Sequence, residues 1–215
     1  MLPPYPQHIF FKFLQRQMSG GDFQHIVDGP CGSGYITYRM ALSFPSSSVT
    51  GIDISQEAVG HASENYVREN LLYKAQDIHL FLDKLASIDA YLLVNSIFLL
   101  PQPEQILKKI HDKISTGGKL GVIIPNIESE NFRNFQQLEP ELNCLLLDRG
   151  QAQTFFENAG FKTEAVKGLS FIHLYGNRTL EKLGKLRGLY TYAADRVNHL
   201  IGKKPSYWGF ILSRQ

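Results

Sequence analysis

Cysteine is scarce in this chain of 215 residues, which contains only Cys31 and Cys144. Two thiols are too few for a disulfide framework, and the default environment of such a chain is a reducing one. The first residues also lack the basic and apolar regions of a secretory signal peptide. We therefore expect a cytoplasmic location.

Long apolar runs are missing as well, since no segment approaches the roughly 18 consecutive apolar residues that a transmembrane helix needs. Neither sign of charge is in large excess, because the formal net charge is +2. This balance does not indicate a nucleic-acid partner. No group of His, Cys, Asp and Glu has the spacing of a metal site, and no GxSxG nucleophile motif occurs. We expect a monomer or a homodimer.

Short β-branched runs alternate with helical patterns along the chain, which indicates βαβ units and a parallel sheet. The predicted strands are residues 25–28, 48–53, 71–75, 91–94, 119–124, 162–167 and 207–212. Ser55 is the predicted N-cap of one helix. Another helix is predicted to begin at Pro103, to carry Ile106, Ile110 and Ile114 on one face, and to end at Gly117-Gly118. No linker or repeat interrupts the pattern, so we predict a single domain over residues 1–215.

The most informative motif is a glycine loop, in which a strand ending at Asp28 runs into Gly29, Gly32 and Gly34. Glycines let the backbone approach a ligand closely, and the N–H groups at the start of the next helix favour an anionic group. A dinucleotide fold needs GxGxxG, but the residue three after Gly34 is Thr37. A zwitterion such as an amino acid also fits, with Asp28 beside its ammonium group. A tight turn without a ligand is the third interpretation.

The loop resembles the first motif of the class I S-adenosylmethionine-dependent methyltransferases, which often reads DxGxGxG. Asp28, Gly32 and Gly34 match it, whereas Pro30 stands at the first motif glycine. The form DxPCGxG is similar to a variant of that motif. The resemblance implies that the cofactor site contains Asp28, Gly29, Pro30, Cys31, Gly32 and Gly34.

Later residues follow the order of the same family. Asp53 ends the second strand, and the resemblance implies that its carboxylate holds the cofactor ribose while Ile54 packs on the adenine. Asp77, followed by Ile78, matches an acidic residue that faces the adenine amino group. A helix N-cap is an equally good interpretation of Asp77.

Three further segments resemble the family. Asn95 and Ser96 end the fourth strand, where the resemblance implies that Asn95 lines the cavity beneath the transferable methyl group. Residues 114–120 are similar to LxPGGxL, with Thr116 at the usual proline, and residues 155–161 are similar to a helix ending in AGF. The implied fold is α/β, a three-layer αβα sandwich with a mostly parallel seven-stranded sheet of order 3-2-1-4-5-7-6. The last strand is antiparallel and follows a helical insertion.

The activity implied by the resemblance is methyl transfer from S-adenosylmethionine to a small-molecule or carrier-, lipid- or glycan-linked acceptor. The acceptor atom stays open between oxygen, nitrogen and carbon. The alternatives are a non-catalytic partner-binding protein of methyltransferase fold and, third, an NAD(P)-dependent oxidoreductase. No catalytic residue is assigned. His173 is a candidate base, although a structural role is the commoner one for such a histidine.

Three segments outside the common core are the candidates for acceptor selection. Residues 1–22 contain a predicted helix that either covers the cofactor or packs on the sheet. The loop at residues 125–143 suits a lid. The insertion at residues 169–205 contains a helical pattern from Leu180 to Leu200, and residues 178–204 include seven Lys or Arg and two acids. That pattern predicts either a core-packed helix with a basic face or a cap that attracts an anionic acceptor, a carrier-protein thioester or a membrane surface.

Overall fold

A computed structural model describes residues 6–130, 132–133, 145–170 and 187–214. Strands β1 to β7 span His25–Asp28, Ser48–Asp53, Leu71–Ala75, Ile88–Val94, Ile114–Pro125, Phe161–Leu169 and Tyr207–Arg214. Helices α1 to α7 span Gln7–Met18, Tyr35–Ser43, Gln56–Asn65, Ile78–Lys84, Pro103–Lys113, Arg149–Asn158 and Arg187–Leu200. A short 3-10 helix covers Ile97–Leu99.

The strands form one sheet in the order β3-β2-β1-β4-β5-β7-β6. Strands β1 to β5 run parallel, while β7 is antiparallel to both of its neighbours, β5 and β6. The predicted strand order and the predicted antiparallel last strand are therefore confirmed. Because the carboxyl ends of parallel strands share one edge, the residues that follow β1, β2 and β4 meet there.

Helices cover both faces of the sheet, and each face has its own apolar core. On one face, α1 and α2 contribute Phe11 and Met40. On the other face, α4, α5 and α6 contribute Leu82, Ile106 and Phe156. Strand β4 supplies alternate side chains to both cores, which explains its nearly continuous apolar sequence.

Helix α1 packs on the sheet, as one of its two sequence interpretations predicts. Small residues in the strands make room for it. A Cβ on Gly209 would lie 2.6 Å from the ring of Phe13, and a Cβ on Gly121 would lie 2.6 Å from Leu14. These close approaches place α1 directly against β5 and β7. No helix within the described ranges is long and apolar enough to cross a membrane.

Helix α5 is shorter than the sequence predicts. It ends at Lys113, and Ile114 already belongs to β5. Ile114 is fully buried in the same core as Ile106 and Ile110, so its spacing imitates a further helical turn. Gly117-Gly118 consequently lies inside β5, at the edge of the sheet away from the glycine loop, rather than at a helix end.

Helix α7 turns the predicted apolar stripe outward. Val197 and Leu200 are 55% and 83% exposed, whereas Thr191 is 2% exposed. The prediction of a core-packed apolar face is therefore wrong for these residues. Helical spacing shows which side chains share a face, but it does not show which face packs. The other leucines of that prediction lie outside the described residues, namely Leu180, Leu183 and Leu186.

Candidate functional site

A cavity of about 390 Å³ opens at the carboxyl edge of the sheet, between the glycine loop, the ends of β2 and β4, and the first turn of α1. We call it the loop cavity. Seven of the predicted site residues line it, namely Asp28, Pro30, Cys31, Gly32, Asp53, Asn95 and Ser96. The other lining residues are Pro6, Gln7, Phe10, Ser33, Tyr35, Ile36, Val94 and Tyr207.

The glycine loop packs against β2 and β4 and is hydrogen-bonded to β2. The N–H of Cys31 donates to the carbonyl of Ile52 at 2.7 Å, and the Gly29–Pro30 peptide is cis. A Cβ on Gly29 would lie 2.4 Å from Ile52 and 2.7 Å from the hydroxyl of Tyr91. Only glycine fits at this position, which packs against the strands rather than lining the cavity.

Gly32 and Gly34 adopt φ values of +51° and +81°, which L-amino acids with side chains rarely adopt. A Cβ on Gly34 would lie 2.6 Å from the Cβ of Ala62, and the Gly34 carbonyl accepts a hydrogen bond from the Tyr73 hydroxyl at 3.1 Å. Gly34 therefore allows α2 to start close to α3. Gly32 has open space around it and borders the cavity.

Asp53 organises the loop from the end of β2. One carboxylate oxygen accepts the N–H of Gly32 at 2.8 Å, and the other accepts the N–H of Ser55 at 3.0 Å. Each carboxylate oxygen has a further lone pair. Since the side chain borders the cavity and is half-buried, it can accept hydrogen bonds from two vicinal hydroxyls of a ligand. The Ser55 side chain accepts the N–H of Ala58, which confirms its predicted capping role.

Asp28 lies at the bottom of the loop cavity and is 1% exposed. The Thr37 hydroxyl donates to its Oδ2 at 2.6 Å, while its Oδ1 has no hydrogen-bond partner in the part of the chain that the structure describes. Burial raises the pKa of Asp28 to about 7, against the lowering effect of the Thr37 hydrogen bonds, and the charge of Asp53 adds to the rise. A ligand ammonium group would satisfy Oδ1 and favour the ionised carboxylate.

The turn after β4 supplies the opposite wall. Asn95 has a φ of +54°, and asparagine tolerates this left-handed conformation better than most residues. Its N–H donates to the carbonyl of Ile123 at 2.9 Å. Ser96 is buried, and its hydroxyl has no partner among the described residues. Both residues line the loop cavity.

Besides Gly29 and Gly34, three predicted residues do not line the loop cavity, namely Ile54, Asp77 and Ile78. Ile54 is 74% exposed, and Ile78 is buried in a core. The Asp77 side chain accepts the N–H of Leu80 at 3.1 Å, so the N-cap interpretation is confirmed. The N–H of Gln76 donates to the carbonyl of Asp53 at 2.8 Å, which holds this turn next to the end of β2. Contact of the three residues with a cofactor stays a prediction.

Several cavity residues were missed by the sequence analysis. Tyr35 follows the glycine loop directly, so its position in the first turn of α2 could have predicted that it lines the loop cavity. Phe10 and Tyr207 stack edge to face with ring centroids 4.8 Å apart, although they come from opposite ends of the chain. Thr37 does not line the cavity, and no local pattern predicts its hydrogen bond to Asp28, which depends on the tertiary fold.

The loop cavity is acidic. Its described lining contains two carboxylates and no Lys, Arg or His. Burial raises the pKa of the Cys31 thiol, so this residue is a poor nucleophile. No group of three metal-ligating residues occurs in the described ranges. The candidate base His173 and most of the predicted lid lie outside those ranges.

Comparisons with known proteins identify a family for this chain. A family model described as a methyltransferase domain matches residues 22–160. The chain is 24% identical over 143 residues to malonyl-[acyl-carrier protein] O-methyltransferase of Bacillus anthracis, covering 63% of this chain and 51% of that protein. It is 26% identical over 111 residues to ubiquinone biosynthesis O-methyltransferase of Coxiella burnetii, covering 51% and 46%. The chain thus spans about half the length of the curated relatives it matches.

The fold has solved counterparts. An S-adenosylmethionine-dependent methyltransferase from Mesorhizobium loti superposes with a TM-score of 0.65, covering 95% of this chain and 98% of that one at 15% identity. At this identity the similarity shows the fold alone. The family model, which matches well over half of the chain, shows the family. The chain belongs to the class I S-adenosylmethionine-dependent methyltransferases.

Proposed function

We propose that this chain binds S-adenosylmethionine in the loop cavity and transfers its methyl group to an acceptor. The observation that carries the proposal is the pair Asp28 and Asp53 in a cavity with no described cation. Asp53 would accept the two ribose hydroxyls, and the unpartnered Oδ1 of Asp28 would accept the amino-acid ammonium group. A cationic ligand suits this field, whereas the pyrophosphate of NAD(P) does not.

The remaining predicted residues have places in the same proposal. Pro30, Cys31 and Gly32 would line the wall along the amino-acid part of the cofactor, and Gly29 and Gly34 would hold the loop in that shape from behind. Ile54, Asp77 and Ile78 would border the adenine just outside the loop cavity. Asn95 and Ser96 would line the region under the reacting group, which is an electrophilic methyl when the cofactor is bound. The chain's own task is then to orient the acceptor and to exclude water.

The proposed acceptor is a small molecule or a carrier-, lipid- or glycan-linked group. The names of the two curated relatives, one for a carrier-bound malonyl group and one for ubiquinone biosynthesis, support that range. An oxygen acceptor would need a base to take up its proton. A cytoplasmic location, a single domain and a monomeric or homodimeric state stay predictions.

Calorimetry with the full chain tests the proposal. We expect S-adenosylmethionine or S-adenosylhomocysteine to bind in the micromolar range and NADH to give no heat. Heat from NADH alone would overturn the proposal in favour of an oxidoreductase. A second step incubates the protein and labelled cofactor with cell extracts fractionated by size. Transfer of label into a low-molecular-weight or lipid fraction supports the acceptor range. Cofactor binding with no labelled fraction supports the partner-binding alternative.

A further inference from the structure

A second and larger cavity, of about 830 Å³, lies between α1, the end of β6 and α7. Four cationic side chains line it, from Lys12 and Arg16 on α1, Lys167 on β6 and Arg196 on α7. We call it the basic groove. It opens at the same edge of the sheet as the loop cavity, because Leu169 at the end of β6 lines it.

The charge of the basic groove is concentrated. Among the residues that the structure describes, its lining contains one carboxylate, Asp195, against the four cations, although the whole chain has a net charge of only +2. All four cationic side chains are exposed, and none forms an ion pair within the described ranges. Like charges gathered around one cavity repel each other, so an anion that enters between them lowers the electrostatic free energy.

The groove also has an apolar floor. Ile9, Phe13 and Leu169 line it; Phe13 and Leu169 are almost fully buried, so Ile9, which is partly buried, supplies the exposed apolar surface. A simple inorganic anion would leave Ile9 and the methylene stems of the exposed Lys and Arg side chains in contact with water. A ligand that joins an anionic group to an apolar body would cover the floor and reach the cations together.

The basic groove and the loop cavity are neighbours. His8 lines the groove, and its Nδ1 lies 3.3 Å from the hydroxyl of Tyr35, which lines the loop cavity. Leu169 of the groove pairs across the sheet with Tyr207 of the loop cavity. The first turn of α1 is therefore the wall between them, since Gln7 faces one cavity and His8 the other.

We propose that the basic groove binds the anionic, apolar-bodied part of the methyl acceptor, with a carboxylate or phosphate between α1 and α7. This inference rests on the proposed function and narrows its acceptor to an amphipathic anion. Such an anion could be a free molecule or part of a lipid bilayer. An acceptor held in the groove can extend past the first turn of α1 to the loop cavity.

The test measures binding of octyl phosphate to the full chain by calorimetry, with 1-octanol and inorganic phosphate as partial ligands. We expect saturable binding of octyl phosphate and at least fivefold weaker binding of each partial ligand. Two charge-reversal variants, Lys12→Glu/Arg16→Glu and Lys167→Glu/Arg196→Glu, should each weaken octyl phosphate binding at least fivefold. The control Lys108→Glu/Lys162→Glu changes the net charge equally at exposed sites away from the groove and should change binding less than twofold.

Separate measurements distinguish the two proposals. Binding of S-adenosylhomocysteine should be unchanged in all three variants, and octyl phosphate should inhibit labelling of the natural acceptor in extracts. Equal weakening in the control, or no saturable octyl phosphate binding, overturns the groove proposal while leaving the proposed function intact. Groove-dependent binding of RNA or an acidic protein without octyl phosphate binding also overturns it. If S-adenosylhomocysteine fails to bind, the proposed function is wrong. The proposal that the basic groove binds the methyl acceptor is then wrong as well, because it rests on that function.

Sedimentation with vesicles distinguishes the two sources of the ligand. Vesicles that contain phosphatidylglycerol should bind the wild type more tightly than pure phosphatidylcholine vesicles if the amphipathic anion is a bilayer lipid. Octyl phosphate binding without vesicle binding identifies a free molecule as the ligand. Both results support the groove, because both need the same cations and apolar floor. If both charge-reversal variants still bind the vesicles as the wild type does, the basic groove is not the lipid-binding site and the proposal is overturned.

Discussion

The two cavities at the carboxyl edge of the sheet differ in charge, burial and origin. The loop cavity has two carboxylates, one of them fully buried, and it is built largely from short loops that follow adjacent strands. The basic groove has four exposed cations, and it is assembled from α1, β6 and α7, which lie far apart in the sequence. Opposite fields on either side of one helical turn can attract two oppositely charged ligands to neighbouring places. Because the two linings share no residue, a mutation in one cavity should leave ligand binding in the other unchanged.

The largest expected effect comes from Asp53→Ala in the loop cavity. This change removes the proposed acceptor of two ribose hydroxyls and also the partner of the Gly32 N–H. Charge-assisted hydrogen bonds are strong, so S-adenosylhomocysteine affinity should fall about 100-fold or more. Calorimetry with S-adenosylhomocysteine measures this loss of affinity. The exposed carboxylate variant Asp22→Ala serves as the control and should bind normally.

The same variant tests whether the cavities are independent. Octyl phosphate binding in the basic groove should be the same in Asp53→Ala as in the wild type. A parallel loss of both ligands would mean that the change has disturbed the whole edge of the sheet. Cofactor affinity within threefold of wild type would instead remove Asp53 from the proposed site.

A second prediction concerns the free energy of unfolding and the buried carboxyl of Asp28. This carboxyl ionises near pH 4 in the unfolded chain but at a pKa of about 7 in the fold, so ionisation favours unfolding as the pH rises between those values. Wild type without ligand should lose about 2–3 kcal/mol through this group between pH 5 and pH 8. Asp28→Asn should lack that loss.

Denaturant unfolding of both proteins at the two pH values measures the difference. Subtracting the wild-type change from the variant change cancels all other titrating groups and any constant cost of the amide. An equal pH dependence in both proteins would mean that Asp28 is ionised in the fold at pH 5. In the same experiments Thr37→Val should lower the stability, because it removes the hydroxyl that donates to Oδ2.

A third prediction links Asp28 to the ligand. If Asp28 holds the ammonium group as a carboxylate, protonation of the free protein below a pKa of about 7 competes with binding. Affinity for S-adenosylhomocysteine should therefore fall about tenfold from pH 8 to pH 6. Asp28→Asn should bind more weakly at pH 8 and show a flat pH profile. A flat profile in the wild type would place the ammonium group away from Asp28.

Much of the loop cavity could be predicted from the sequence because the residues of the glycine loop are close together along the chain. Asp28, Gly32 and Gly34 lie within one short segment, and the parallel sheet alone brings Asp53 and Asn95 to the same edge. The strand bounds at residues 25–28, 48–53 and 71–75 agree with the structure for a related reason, since turn-forming residues bound these short apolar runs.

The basic groove could not be predicted in the same way. Lys12 and Arg196 are remote in sequence, and only the packing of α1 and α7 around the end of β6 brings them to one cavity. The exposure of Val197 and Leu200 could not be predicted either. Helical spacing shows that these residues share a face of α7, but it does not show whether that face packs against the rest of the protein. The raised pKa of Asp28 depends on burial, which no local pattern reports.

The smallest expected effect lies on the outer face of α7, the helix that supplies one wall of the groove. Because Val197 and Leu200 are 55% and 83% exposed, the double change Val197→Ser/Leu200→Ser should alter the free energy of unfolding by no more than about 0.5 kcal/mol per site. Octyl phosphate binding should not change. The matched control is Leu212→Ala in the core, which should cost about 2–5 kcal/mol. A loss above about 2 kcal/mol in the α7 variant would show that this stripe packs in solution. The position of α7, and with it one wall of the basic groove, would then depend on those apolar contacts.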